Sequence, residues 1–414
     1  MSQVLAYLDA TIDGLTAKLE AEGKAPNPRK RFALAAMRLA RRLCDPEVVT
    51  AWCGVATPFE LLNAMGVPAC YPEFIGGVLA SAGLVVPTLE AAEQCGYSSD
   101  SCGYHRAALG VITSRLLPPP RLFLATSQPC SAGMYALESA SRILGRSPFV
   151  LHVPTDRSEA ATSYVTRQLG RLVLHVSAIT GRRLAEADLA EAILASNRTR
   201  ASLVEVFERC TDVPSPIRST ELKNLGIVLP LFFGTAEAET VAGAWLDELR
   251  LRAERPPKTG ERLRLLWLQN RLQFKSKLIE DLETDYGAVI VADEFNDITW
   301  PPLDPENPLQ SLAERILFHP YSGTAEVRIA HLLDLVRRYR VDGVINPCHF
   351  GCKQGTGSRG LIERGLRRAE VPVLNLEVDC IDSRNFSEGQ VRTRLQAFVE
   401  LLLQRRELSA EVLP

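Results

Sequence analysis

A chain of 414 residues is too long for one ordinary hydrophobic core, so two or three domains are expected. With 47 basic against 49 acidic residues there is no basic field for nucleic acid and no acidic tail. Apolar runs such as Leu225–Phe233 fall short of the roughly 18 residues a membrane span needs, and Met1-Ser2-Gln3-Val4 lacks a basic region leading into an apolar stretch, so a soluble cytoplasmic protein is expected.

Residues 1 to 50 read as a helical N-terminal region. Val4, Leu5, Leu15 and Leu19 give one apolar face; Ala33–Leu43 gives another, separated from the first by Pro28. Val49–Gly54 is an apolar entry into a helix that Thr57-Pro58 starts and Gly66 ends. Val67–Tyr71 follows as a short strand closed by Pro72-Glu73. The polar turn Gly96–Tyr104 holds Cys102 and enters another helix. After Pro118-Pro119-Pro120 comes a strand at Arg121–Ala125, a turn at Thr126–Gly133 with Cys130, a helix from Met134 and a strand at Phe149–Val153. Residues 156 to 255 are helix-rich, with clear periodicity at Ala185–Leu194 and Val241–Arg252. Arg255–Gly260 reads as a domain linker. A second α/β unit follows: strand Leu263–Leu268, helix Phe274–Asp285, strand Val289–Ala292, strand Val341–Ile345, the loop Asn346–Gly357, helix Leu361–Ala369 and strand Val371–Glu377.

Strands alternating with helices in both halves predict parallel sheets. The expected architecture is α/β: two Rossmann/flavodoxin-like parallel-sheet domains at 51–255 and 256–414, with the N-terminal helical region at 1–50 and a helical insertion in the first domain. Ligands in such sheets bind at the carboxyl edge of the strands. That edge should hold Cys348, His349, Cys352 and Lys353, together with Asp379, Cys380 and Asp382 from the next strand.

Of ten cysteines, Cys102, Cys130 and Cys352 share a Gly/Ser/Pro-rich turn beside a helix start, where a thiolate is favoured. Cys53 and Cys70 sit in apolar stretches, and Cys44, Cys95 and Cys210 belong to helical patterns. A single buried cysteine is more often a small core residue; three in matched turns shift the balance towards a shared metal site between domains. Cys348 and Cys352 with Cys380 form an alternative zinc set, but a single C-x3-C is half of the usual paired knuckle. Gly355-Thr356-Gly357-Ser358-Arg359-Gly360 matches a dinucleotide fingerprint formally, with Glu377 where a ribose-binding acid would stand. The loop from Pro347 to Gln354 separates it from its strand, so the glycines read as a close-approach loop instead. No G-x-x-x-x-G-K-[ST] occurs, which argues against ATP hydrolysis by this chain. Glu60 and Glu73 are acid/base candidates, Glu60 reading better as a helix cap or solvated end. His349 reads as a hydrogen-bond partner of the site, a proton carrier or a satisfied loop histidine, and Arg392 with Arg394 as an ion-pair face.

His349-Phe350-Gly351-Cys352-Lys353-Gln354, Val371–Asn385 and Gly389–Phe398 resemble the C-terminal signature of the 2-hydroxyacyl-CoA dehydratase and benzoyl-CoA reductase subunits. Pro58–Gly66, Tyr71-Pro72-Glu73 and Gly96–Tyr104 resemble the N-terminal pattern of the same family. The resemblance implies a [4Fe–4S] cluster between two α/β domains, held by Cys102, Cys130 and Cys352, with Cys348 and then Cys380 as alternatives for the third ligand. It implies Glu73 and His349 as catalytic residues, an acyl-CoA substrate and a ketyl-radical route fed by a low-potential electron. Its implied partners are a sister subunit, or a second copy of the chain, and an ATP-dependent iron–sulfur activator. Val55-Ala56-Thr57 and Ser131 depart from the family pattern, which keeps open a non-catalytic cluster-bearing relay subunit; a double-cubane reductase using thiols such as Cys53 or Cys70 is a third reading.

Overall fold

The structure, a computed structural model, describes residues 2–254 and 260–412. The expected linker at 255–260 lies outside the described residues except for Gly260. Two four-stranded, wholly parallel sheets organise the chain. The first contains β1 (Ala51–Cys53), β2 (Ala69–Cys70), β3 (Leu122–Thr126) and β4 (Phe149–Leu151), in the order β2-β1-β3-β4. The second contains β5 (Leu263–Trp267), β6 (Ala288–Asp293), β7 (Gly343–Asn346) and β8 (Val373–Asn375), in the order β6-β5-β7-β8. β1, β2, β3, β5 and β7 are buried throughout, which is why they read as largely apolar runs rather than alternating ones, Arg264 in β5 being a buried exception.

Both sheets repeat one order, with the first strand of each unit inside and the second at an edge. The chain therefore reverses direction across the sheet between β1 and β3, and again between β5 and β7. At such a switch point the loops leaving adjacent strands diverge and open a crevice at their carboxyl ends. Cys130 follows β3 and Cys352 follows β7, so the topology alone puts both at switch points.

Helices Ser2–Ala21 and Pro28–Leu43 pack against each other. Pro28 starts the second of them, at a position where its missing N–H costs nothing. In sequence, the long helices Glu159–Thr180, Glu186–Arg209 and Ala236–Glu254 come between the strands of the first sheet and those of the second. The helix expected from Phe274 begins only at Leu278. Just before it, Gln273 is anchored in the loop by its N–H on the Cys380 carbonyl at 2.8 Å and by its side chain on Tyr104 and Asn224.

A buried ionic clamp ties the two units together. Arg106, fully buried on helix Gly103–Thr113, donates to the Ser101 carbonyl and to Glu93, and lies 3.5 Å from both Asp379 and Asp382 after β8. Arg384 reaches back to Glu93 at 2.7 Å. Breaking such a cluster from one side would strand a buried charge, at a cost of about 3–5 kcal/mol. The clamp holds the helix that Cys102 starts against the segment after β8, whose Asp379 lies 3.6 Å from His349.

Candidate functional site

A cavity of about 220 Å³ lies at the carboxyl ends of both sheets. Cys102, Cys130 and Cys352 all line it. Each is the residue immediately before a helix: Cys102 before Gly103–Thr113, Cys130 before Ser131–Ile143, Cys352 before the short turn Lys353–Gly357. A helix start leaves N–H groups unpaired, and at Cys352 one is engaged, the Gly355 amide donating to its Sγ at 3.3 Å. Cys348 and Cys380 do not line the cavity. Cys348 Sγ donates to Asn375 Oδ1 and Cys380 Sγ to the Asn270 carbonyl, each at 3.6 Å. The C-x3-C pair therefore diverges, and the zinc-knuckle arrangement is not assembled.

Burial alone would raise the Cys102 pKa, but the imidazoles of His105 and His349 outweigh it and pull the thiol down to about 5. The same burial, with the negative charge at Cys102 and Cys130, pushes Cys352 up to about 12. Burial also raises Cys130. Negative charge at Cys102 therefore works against ionising both Cys130 and Cys352. Among the described residues, no three His, Cys, Asp or Glu side chains converge tightly enough to hold a single metal ion.

His349 is fully buried and is not part of the cavity wall. Its Nδ1 accepts the Cys380 amide hydrogen at 3.0 Å, so its ring proton sits on Nε2, 3.4 Å from Cys102 Sγ. The ring is thus placed as a hydrogen-bond partner of the Cys102 thiol. Gly351 makes that contact possible. At φ +74° it lies so close to the Cys102 segment that a Cβ would stand 2.5 Å from Cys102 N.

Glu73 lines the cavity and pairs through Oε1 with His105 Nε2 at 3.0 Å. Its Oε2 is buried without a hydrogen-bond partner, as are Thr57 Oγ1 and Gln269 Oε1, and all three residues face the cavity. Buried polar atoms rarely stay unpaired, so these mark where a ligand's polar groups belong. Gln269 follows β5 with φ +56°, a conformation non-glycine residues adopt rarely and mostly at functional positions. Its Nε2 donates to Asn346 Oδ1 and the Gly355 carbonyl. A Cβ on Gly355 would fall 2.0 Å from the Gln269 amide oxygen, which explains that glycine as a close approach rather than a phosphate turn. Glu377, the residue in the ribose-acid position, is exposed and paired with Arg359 at 2.9 Å.

Glu60 is neither a cap nor a solvated end. It is fully buried, receiving two hydrogen bonds from Arg315 at 2.5 and 2.7 Å and one from Ser196 at 2.9 Å. Arg392 fits the surface ion-pair reading through Asp281 and Glu388, whereas Arg394 donates to the Asn375 carbonyl. Cys53 and Cys70 are buried in β1 and β2, where burial holds both thiols protonated. His105, Gln269 and Arg315 escape a reading of the sequence. For His105 a signal exists, because Cys102-x-x-His105 at a helix start stacks thiol and imidazole one turn apart.

A family model described as 2-hydroxyglutaryl-CoA dehydratase, D-component, matches residues 54–402. The chain is 24% identical over 377 residues to the (R)-phenyllactyl-CoA dehydratase alpha subunit of Clostridium sporogenes, covering 86% of this chain and 90% of the relative. It is 25% identical over 349 residues to one of the benzoyl-CoA reductase subunits of Thauera aromatica, covering 76% and 79%. It is 21% identical over 388 residues to the lactoyl-CoA dehydratase alpha subunit of Anaerotignum propionicum, covering 86% and 90%. The chain belongs to the 2-hydroxyglutaryl-CoA dehydratase D-component family, whose relatives here are subunits of 2-hydroxyacyl-CoA dehydratases and of a benzoyl-CoA reductase.

Proposed function

We propose that this chain is the iron–sulfur subunit of a 2-hydroxyacyl-CoA dehydratase or benzoyl-CoA reductase-type enzyme, with a [4Fe–4S] cluster held by Cys102, Cys130 and Cys352. One observation carries the proposal: three cysteines distant in sequence each start a helix on the wall of one cavity. The donor set fits the group. Thiols spread around a cavity suit a cluster whose ligands sit on different irons, and its positive charge would favour the thiolates of Cys130 and Cys352 that burial and neighbouring charge disfavour. When bound, such a cluster supplies a low-potential electron and one iron free of protein ligands, a Lewis acid towards a thioester or hydroxyl oxygen.

The chain's own residues would bind, orient and shield. His349 Nε2–H and the Gly355 amide donate to the sulfurs of Cys102 and Cys352, stabilising their negative charge. Thr57 Oγ1 and Gln269 Oε1 offer a donor and an acceptor to the polar part of an acyl-CoA. Glu73 Oε2, with Oε1 held by His105, is the atom placed to take a proton from the substrate. This ready-made polar lining beside the thiols favours a substrate-bearing role over a relay. The sequence has no P-loop, so the electron would come from an ATP-dependent activator. The relatives are themselves named as single subunits of larger enzymes, which supports pairing of this chain with a sister subunit. Ten free cysteines suit a reducing, cytoplasmic setting.

The test is anaerobic purification with the sister subunit and activator, followed by spectroscopic assay of 2-hydroxyacyl-CoA conversion. Turnover that requires activator and ATP supports the proposal. A cluster-loaded complex that accepts no electron and converts no thioester refutes it.

A further inference from the structure

Besides the thiols, the cavity wall contains an apolar set, Leu203, Phe207, Phe233, Phe295, Trp300 and Ile316. Phe233 and Trp300 meet edge to face with centroids 5.9 Å apart. The charge lining this region is already spent. Arg315 gives both terminal nitrogens to the buried carboxylate of Glu60, and its flat face lies 5.1 Å from the Trp300 centroid and 5.8 Å from that of Phe233. Asp297 is bound by Arg338 at 2.8 Å. His319 accepts the Tyr321 amide hydrogen on Nδ1, and burial with neighbouring His331 and Arg315 lowers its pKa to about 4, leaving it neutral. Among the described residues lining the cavity, no arginine or lysine lacks a carboxylate partner.

A second carboxylate brought here would share one guanidinium with Glu60 and face like-charge repulsion in a desolvated site. Burying it would cost more than the site returns. An uncharged ring meets edges and faces of four aromatic side chains and loses only water. Resting on the acyl-CoA reading of this site, we propose that the cavity selects an uncharged, aromatic acyl group and rejects one ending in a carboxylate, with the Arg315–Glu60 pair as the element that sets the choice.

Binding rather than turnover tests this, using the cluster-loaded protein as purified. Trp300 in the wall gives a fluorescence signal, with calorimetry as the check. The probes are the CoA thioesters of 2-hydroxy-3-phenylpropanoate and 2-hydroxyglutarate, with free CoA as reference. The phenyl thioester should bind at least ten-fold more tightly than the glutaryl one. Glu60→Gln keeps the side-chain shape but frees one positive charge, and should narrow or reverse the preference. Thr299→Lys, at a half-buried wall position, adds a cation without disturbing the pair and should raise glutaryl affinity similarly. Equal or tighter binding of the glutaryl thioester to the parent overturns this inference alone. So does an unchanged ratio in both variants. Failure of every thioester to bind better than free CoA overturns the proposed function as well.

Discussion

Gly351→Ala tests whether the two halves of the thiol site are held by backbone contact. Gly351 has φ +74°, where an L side chain costs about 1–2 kcal/mol. Its added Cβ would lie 2.5 Å from Cys102 N, 2.5 Å from Ser101 C and 2.7 Å from Asp100 O, all backbone atoms that cannot rotate away. Restoring ordinary contact requires a shift of roughly 1 Å, and overpacking of this kind costs a further 1–3 kcal/mol or so. The sum, about 2–5 kcal/mol, should appear as a lower denaturant midpoint of the cluster-free, reduced protein, read by circular dichroism. The same shift pulls Cys102 away from His349 and the Cys352 loop, so iron retention should fall too. Gly357→Ala is the control, because its Cβ would meet nothing within 4 Å, and stability should change by less than about 1 kcal/mol. If Gly351→Ala unfolds within about 0.5 kcal/mol of the parent, the argument for a rigid contact between the halves is wrong.

Cys352→Ala should abolish the visible absorption of the reconstituted protein while Cys348→Ala preserves it, since only Cys352 lines the cavity; the opposite result would put the third ligand one turn away. Arg315→Met, leaving Glu60 buried and unpaired, should cost about 3–5 kcal/mol in urea unfolding at neutral pH. Although burial alone would raise the Glu60 pKa, Arg315 lowers it, so the stability from this pair is present above the unfolded carboxylate value near ~4.3 and is lost as pH falls towards the lower folded value; the variant should flatten that acid limb of the pH–stability curve. Cys44→Ala and Cys210→Ala, both buried helix-end thiols away from the cavity, should cost about 1 kcal/mol and leave iron content unchanged.

The α/β class and most strands were readable because buried parallel strands are short continuous apolar runs between turn residues. The matched turns of Cys102, Cys130 and Cys352 were readable for a similar reason: glycine, serine and proline mark the turn that leads into a helix. What periodicity could not give was direction. Cys348 and Cys352 sit in one loop, and only the turn at Gly351 and the helical turn from Lys353 send the second into the cavity and the first towards Asn375. Glu60 looked like a helix-end solvated acid because its partners, Arg315 and Ser196, are far away in sequence. The apolar wall was missed for the same reason. Residues 203–233 looked like plain helical packing, yet Leu203, Phe207 and Phe233 join Trp300 in the cavity wall only through the tertiary fold.

The most direct test of the central claim is iron and acid-labile sulfide per chain after anaerobic reconstitution, compared with Cys102→Ala, Cys130→Ala and Cys352→Ala. The account predicts about four irons and four sulfides in the parent, and loss of most of both in each variant. A colourless, iron-free parent, or a full cluster in any of the three variants, would contradict it.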